Sequence, residues 1–150
     1  MLFYLISFLV LLIDQALKFL VRGQMTLGQS LSLFRYLKLT YVRNTGAAFS
    51  IFVGFSPYLA LVGAVIVVAI LYFYHRTKPQ DLWLRIGLAL VLGGSLGNLA
   101  DRIFHGYVID YIDVTVWPVF NFADAMINVG VALIALRLFI RGKRDVSDTA

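Results

Sequence analysis

The chain has 150 residues, 61% hydrophobic and only 14% charged, with mean hydropathy +0.86, formal charge +5 and a pI near 9.7. Soluble domains carry roughly 25% charged residues, so this composition excludes an ordinary aqueous fold and places a single domain, residues 1–150, in a bilayer. Cysteine is absent, which excludes disulfides, thiol nucleophiles and thiolate metal sites. The basic surplus is of the kind membrane proteins collect at helix ends, and it does not argue for nucleic acid.

Residues 2–22 form the first apolar run. The run lacks a basic leader, carries Asp14 and Lys18 where a signal peptide would stay apolar, and has no clean small-x-small cleavage site, so a retained helix is expected. Asp14 and Lys18 stand at i, i+4, the spacing of an intrahelical ion pair. Residues 23–56 are too long for a turn. Within them L-F-R-Y-L-K-L-T-Y-V-R, residues 33–43, alternates loosely enough to predict strands of a small sheet lying on the membrane. Three further apolar runs follow, at 57–75, 82–101 and 123–141. Each is close to the ~20 residues a helix needs to span hydrocarbon, and only helices satisfy their own backbone there. Residues 76–81 form a short basic turn, 102–122 a second exposed connection, and 142–150 a polar tail.

Seven Lys and Arg crowd the short connection and the C-terminal end, whereas six are spread over the longer segments of the other side. That density predicts both termini in the cytoplasm. All eight acidic residues are aspartates. In this topology Asp14, Asp101, Asp110, Asp113 and Asp124 gather toward the outer face, and Asp81, Asp145 and Asp148 lie in cytoplasmic segments. An ionisable group near hydrocarbon is costly unless solvated, paired or protonated, which makes these aspartates candidates for function.

Each candidate has a structural alternative. Asn121 and Asp124 stand three apart at the start of an apolar run, the pattern of a helix cap. Asn98 and Asp101 share a helix face, with Arg102 adjacent as a local partner. The preceding G-G-S-L-G, residues 93–97, admits close approach of another backbone or of a ligand. His105 reads as a loop residue before Gly106, and two scattered histidines make a zinc site improbable. Ser50 and Ser95 lack a base. An aspartic pair survives this comparison. Two close carboxylates share one proton; the ionised one activates water, and the protonated one polarises the scissile carbonyl and later serves the leaving amine. A transporter using intramembrane aspartates is the rival class, but its paired helix interruptions are not seen, and the carboxylates gather at one face rather than the midplane. A small scaffold subunit would leave the aspartates unexplained.

Five motifs occur in order: D-Q-x-x-K at 14–18, N-T-G-A-A-F at 44–49, G-N-L-A-D-R at 97–102, G-Y-V-I-D-Y-I-D at 106–113 and F-N-F-A-D at 120–124. Together they resemble the bacterial lipoprotein signal peptidases of type II over nearly the whole chain. The resemblance implies an all-α integral membrane fold of four transmembrane helices with a small periplasmic β-sheet and a mobile extracellular helix. It implies an aspartic endopeptidase of the bacterial cytoplasmic (inner) membrane, with its active site facing the periplasm. This enzyme would remove the signal peptide of a diacylglyceryl-modified prolipoprotein, N-terminal to the lipidated cysteine. By the same resemblance Asp110 and Asp124 form the dyad. Asp14, Asn44, Gly94, Asn98, Asp101, Arg102, Asn121 and Ala123 match supporting or ligand-contacting positions. No metal or other cofactor is expected; the partners would be lipidated prolipoproteins and membrane lipids, with no nucleic acid, and the protein a monomer. Thirteen residues separate Asp110 from Asp124, fewer than in many members, so V-T-V-W-P-V is where this chain departs from the family.

Overall fold

A computed structural model describes residues 1–46 and 56–147, with side chains as far as 141. Four long apolar helices, α1 (Leu2–Gln24), α2 (Ser56–Arg76), α3 (Leu82–His105) and α4 (Phe122–Ser147), account for most of it. Each expected span is present, and α3 and α4 extend beyond their predicted ends. The motif residues 47–49 and Ser50 lie outside the described residues, as does Asp148. Among the described residues no extra helix stands between the spans.

Burial along α1 shows what the bilayer does to the usual pattern. Its buried positions are Phe3, Ser7, Val10, Asp14, Lys18 and Val21, one helical stripe in which three of six residues are polar. Large apolar residues such as Phe8, Leu12 and Phe19 face outward. Polar groups are drawn inward because lipid offers them no partners. The Ser7 hydroxyl illustrates this by bonding the Phe3 and Ala89 carbonyls at 3.0 Å each.

Helix α3 is the centre of the bundle: half of its span is buried, against 11–22% for the others. It packs on α1, α2 and α4, and its glycines make that possible. A Cβ on Gly93 would come within 2.6 Å of the Ser7 carbonyl on α1, and one on Gly94 within 2.5 Å of the Ala123 carbonyl on α4. The 93–97 run is therefore filled by neighbouring helices. At the opposite end of the bundle Asp81 caps α3 by accepting from the Leu84 N–H and pairs with Arg137 at 2.7 Å. That Arg137 contact holds the Asp81 carboxyl below its ordinary range.

The extramembrane part is a three-stranded antiparallel sheet in the order β1 (Ser30–Phe34), β2 (Leu37–Asn44), β3 (Val108–Asp113). The first two strands overlap the 33–43 run where strands were expected, although neither alternates in burial. The third corrects the reading of 102–122 as a plain connection, since its centre is paired to β2. Both motifs are brought together by that register: Asn44 lies opposite Val108, and Val42 opposite Asp110. Val21, Met25, Tyr41, Ile109 and Tyr111 form a small apolar core joining the sheet to the end of α1. After β3 the chain turns tightly. Asp113 accepts from the Thr115 N–H at 2.8 Å, Thr115 takes φ 63°, and Phe120 bridges back to Ile112 before α4 begins.

Candidate active site

The end of α3, the end of β2, the middle of β3 and the start of α4 meet at an open cleft of about 1090 Å³. Asn44, Asn98, Arg102, Asp110 and Asp124 line it, with apolar walls that include Val42, Trp117, Val119 and Val129.

Asp124 is held by the local sequence. Asn121 is the residue before α4; its Oδ1 accepts from the Asp124 N–H at 2.9 Å, while Asp124 Oδ2 accepts from the Asn121 N–H at 3.2 Å. This reciprocal cap is the helix-start reading of N-x-x-D, and it places a carboxylate at the positive end of the helix dipole. The same asparagine also serves the site. Its Nδ2 donates to Asp110 Oδ1 at 2.7 Å and to Asn98 Oδ1 at 3.1 Å. Capping and site-building are thus two uses of one residue.

Asp110 is 2% exposed. Both of its oxygens meet neutral amides, Oδ1 from Asn121 and Oδ2 from Asn44 at 2.9 Å. Burial, joined by the nearby charge of Asp124, pushes its carboxyl up to about 7. The amide bonds and the charge of Lys18 pull the other way and lose. Burial likewise raises the neighbouring Tyr111 phenol well above its ordinary value. Its oxygen accepts from the Phe122 N–H at 3.3 Å, tying β3 to the first turn of α4.

Asn98 connects the cleft to a buried cluster behind it. Its Nδ2 donates to Asp124 Oδ1 at 2.7 Å, and its Oδ1 accepts from Lys18 at 2.9 Å. Lys18 also pairs with Asp14 at 2.8 Å and Asp101 at 3.1 Å. The i, i+4 pair is present, then, but as one edge of a three-charge cluster with Gln15, which donates to both carboxylates at 3.2 Å. Asp101 further accepts from the Ile109 N–H at 3.0 Å, anchoring β3 to α3. A local Asp101–Arg102 pair is not formed: Arg102 instead donates to the Gly46 carbonyl at 3.2 Å.

The remaining candidates divide by location. Ala123 is fully buried, and its N–H donates to Asp14 Oδ1 at 3.0 Å. Gly94 faces the Ala123 carbonyl. Both hold α4 in place behind the cleft rather than lining it. Asp113 stands apart, opposite Lys38 in the sheet, accepting from Thr40 at 2.9 Å. The Thr115 N–H, then the Thr40 hydroxyl, hold its carboxyl below the ordinary range. His105 belongs to the last turn of α3, half-buried against Arg22, rather than to a loop. Among the cleft residues that escaped the sequence reading are Asn128 and Trp117. An asparagine one turn beyond Asp124 in an apolar helix was the available signal for the first.

The family model described as Signal peptidase (SPase) II matches residues 6–140. The chain is 41% identical to a lipoprotein signal peptidase of Halothermothrix orenii, over 93% of this chain and 97% of that protein. It is 40% identical to a lipoprotein signal peptidase of Moorella thermoacetica, over 92% and 93% respectively. A solved structure described as a bacterial membrane enzyme, determined by the in meso method at 2.3 Å, has a TM-score of 0.87 at 31% identity, covering 97% of this chain and 90% of that one. A family match over residues 6–140 and relatives about 40% identical along nearly their whole length place the chain in the signal peptidase II family.

Proposed function

We propose that this chain is a membrane aspartic endopeptidase, a single polytopic domain over residues 1–150. It removes the signal peptide of diacylglyceryl-modified prolipoproteins by cutting on the N-terminal side of the lipidated cysteine. The observation that carries the reading is the pairing of Asp110 and Asp124 in one cleft, each held by amide or backbone N–H donors.

The chemistry follows from their unequal surroundings. Asp110, with its carboxyl pushed up to about 7, is the member that carries the shared proton, and Asp124, at a helix N-terminus, is the carboxylate that takes a proton from water. Water adds to the scissile carbonyl carbon while Asp110 protonates the carbonyl oxygen, giving a neutral tetrahedral diol. Asp124 then passes its proton to the amide nitrogen, the C–N bond breaks, and a diol hydroxyl returns its proton to Asp110. Asn98, Asn121 and Asn44 hold the carboxylates through these steps, and Arg102 fixes the backbone at Gly46 on the cleft wall.

The cleft is at the large end for a ligand site, with room for an extended peptide and apolar wall for acyl chain. The denser Lys and Arg at the opposite end of the bundle support cytoplasmic termini and a site facing the periplasm; a monomer of the inner membrane is carried over from the family resemblance alone. The test is cleavage of matched prolipoprotein peptides with and without the diacylglyceryl group, at equal detergent concentration. Burying acyl chain is worth ~0.8 kcal/mol per CH₂, so losing the lipid raises KM strongly, and a peptide misaligned without its anchor loses kcat as well. Equal kcat/KM for the two peptides would leave a generic intramembrane aspartic protease as the better description.

A further inference from the structure

Lys18 is 1% exposed in the second half of a membrane helix. Its three ammonium protons have three acceptors: Asp14 Oδ2, Asp101 Oδ2 and Asn98 Oδ1. Charge compensation explains the first two. The third goes to a neutral amide whose other end touches Asp124.

That amide has no freedom of orientation while Lys18 is present. Asn98 Oδ1 receives Lys18 Nζ at 2.9 Å and Asn121 Nδ2 at 3.1 Å, which fills both of its lone pairs. Rotating the amide by half a turn would set its NH₂ against two donors and aim its oxygen at the Asp124 carboxylate. Asn98 Nδ2 is therefore directed at Asp124 Oδ1, 2.7 Å away. We infer that Lys18 is a positioning residue for the dyad: through Asn98 it fixes the hydrogen bond that Asp124 receives, and it sets one positive charge behind both carboxylates. This rests on the assignment of Asp110 and Asp124 as the dyad. The charged and titratable groups around it are Asp14 on α1, Asp101 and Arg102 on α3, Asp110 and Tyr111 on β3, and Asp124 on α4.

The test is the pH profile of kcat/KM and kcat on lipidated prolipoprotein peptide. Lys18→Met alone strands two buried carboxylates, so the working variant is Lys18→Met with Asp14→Asn, which retains an oxygen for the Ala123 N–H. The expected result is kcat lowered at least tenfold with KM within about twofold, and a bell displaced to higher pH by up to about half a unit: the pair removed is neutral as a whole, but its positive end is the one that acts on Asp110. A slower enzyme with an unmoved bell would make Lys18 a purely structural residue and overturn the inference, as would an unchanged rate. If the double variant fails to insert, ¹⁵N-lysine NMR decides it, on protein whose Lys38, Lys78 and Lys143 are changed to Arg. The Lys18 ammonium resonance is expected to shift with the alkaline limb of the wild-type profile, and a resonance constant across that range would overturn it. Wild-type protein and Asp110→Asn are assayed in parallel. A wild type that does not cut, or an active Asp110→Asn, removes the dyad itself; dead dyad variants beside an unmoved double variant remove only the role of Lys18.

Discussion

Two pairs of aspartates lie within one wall of this molecule and are compensated in different ways. Asp14 and Asp101, at 0% and 1% exposure, share the ammonium of Lys18 and are further tied to backbone N–H groups of Ala123 and Ile109. Asp110 and Asp124 receive only neutral donors, from Asn44, Asn98 and Asn121, and line the cleft. A buried carboxylate with its own ammonium is held as a structural tie. A carboxylate held by amides beside another carboxylate is oriented but not neutralised, so it can still take up and release a proton.

The largest expected break in this comparison is at the second pair. Asp110→Asn and Asp124→Asn keep side-chain volume, and each should lower turnover of lipidated substrate by about 10²–10⁴-fold, the range for an acid–base group, with insertion unaffected. Substantial activity in either would remove it from the dyad. At the first pair the effect should appear in stability. Asp14→Ala and Asp101→Ala each leave Lys18 short of a partner in a buried site and should cost about 3–5 kcal/mol, read as a lower melting temperature in detergent with activity falling alongside. An Asp101→Asn protein that is dead while its melting temperature and substrate binding are unchanged would move Asp101 into the chemistry.

A pH series sharpens the contrast. The folded-state value of Asp110, about 7, lies above its ordinary 3.8. Its carboxylate therefore costs stability that is fully present above pH 7 and vanishes as pH falls below about 4. Asp110→Asn should gain melting temperature relative to wild type as pH rises from 5 to 8, and a difference independent of pH would contradict the burial argument. The smallest effect is expected at Asp113, whose partners are Thr40 and the Thr115 N–H at the sheet. Asp113→Asn should leave kcat/KM within about twofold, consistent with a surface site away from reacting atoms.

Much of this was legible from residue order. Apolar runs of span length gave the four helices, because a bilayer leaves the backbone no alternative. The N-x-x-D cap was readable because it is local, spanning residues 121–124. What escaped was made by distant segments. The pairing of Val108–Asp113 with β2 joins positions about 70 apart, and V-I-D-Y-I-D bounded by spans resembles any connection until its partner strand is known. Lys18 looked satisfied by Asp14 one turn away, since Asn98 and Asp101 stand 80 residues or more further along. The glycines at 93–97 announced a close approach without saying by what; it proved to be α1 and α4.

The most direct test of the account is titration of the Asp110 carboxyl itself, by ¹³C NMR of aspartate-labelled protein with the resonance assigned by its loss in Asp110→Asn. A midpoint near 7 is expected, falling in Asp124→Asn because the charge that raises it beside burial is gone. A midpoint in the ordinary carboxylate range, unchanged by Asp124→Asn, would mean that the two groups do not share a site and that the dyad assignment is wrong.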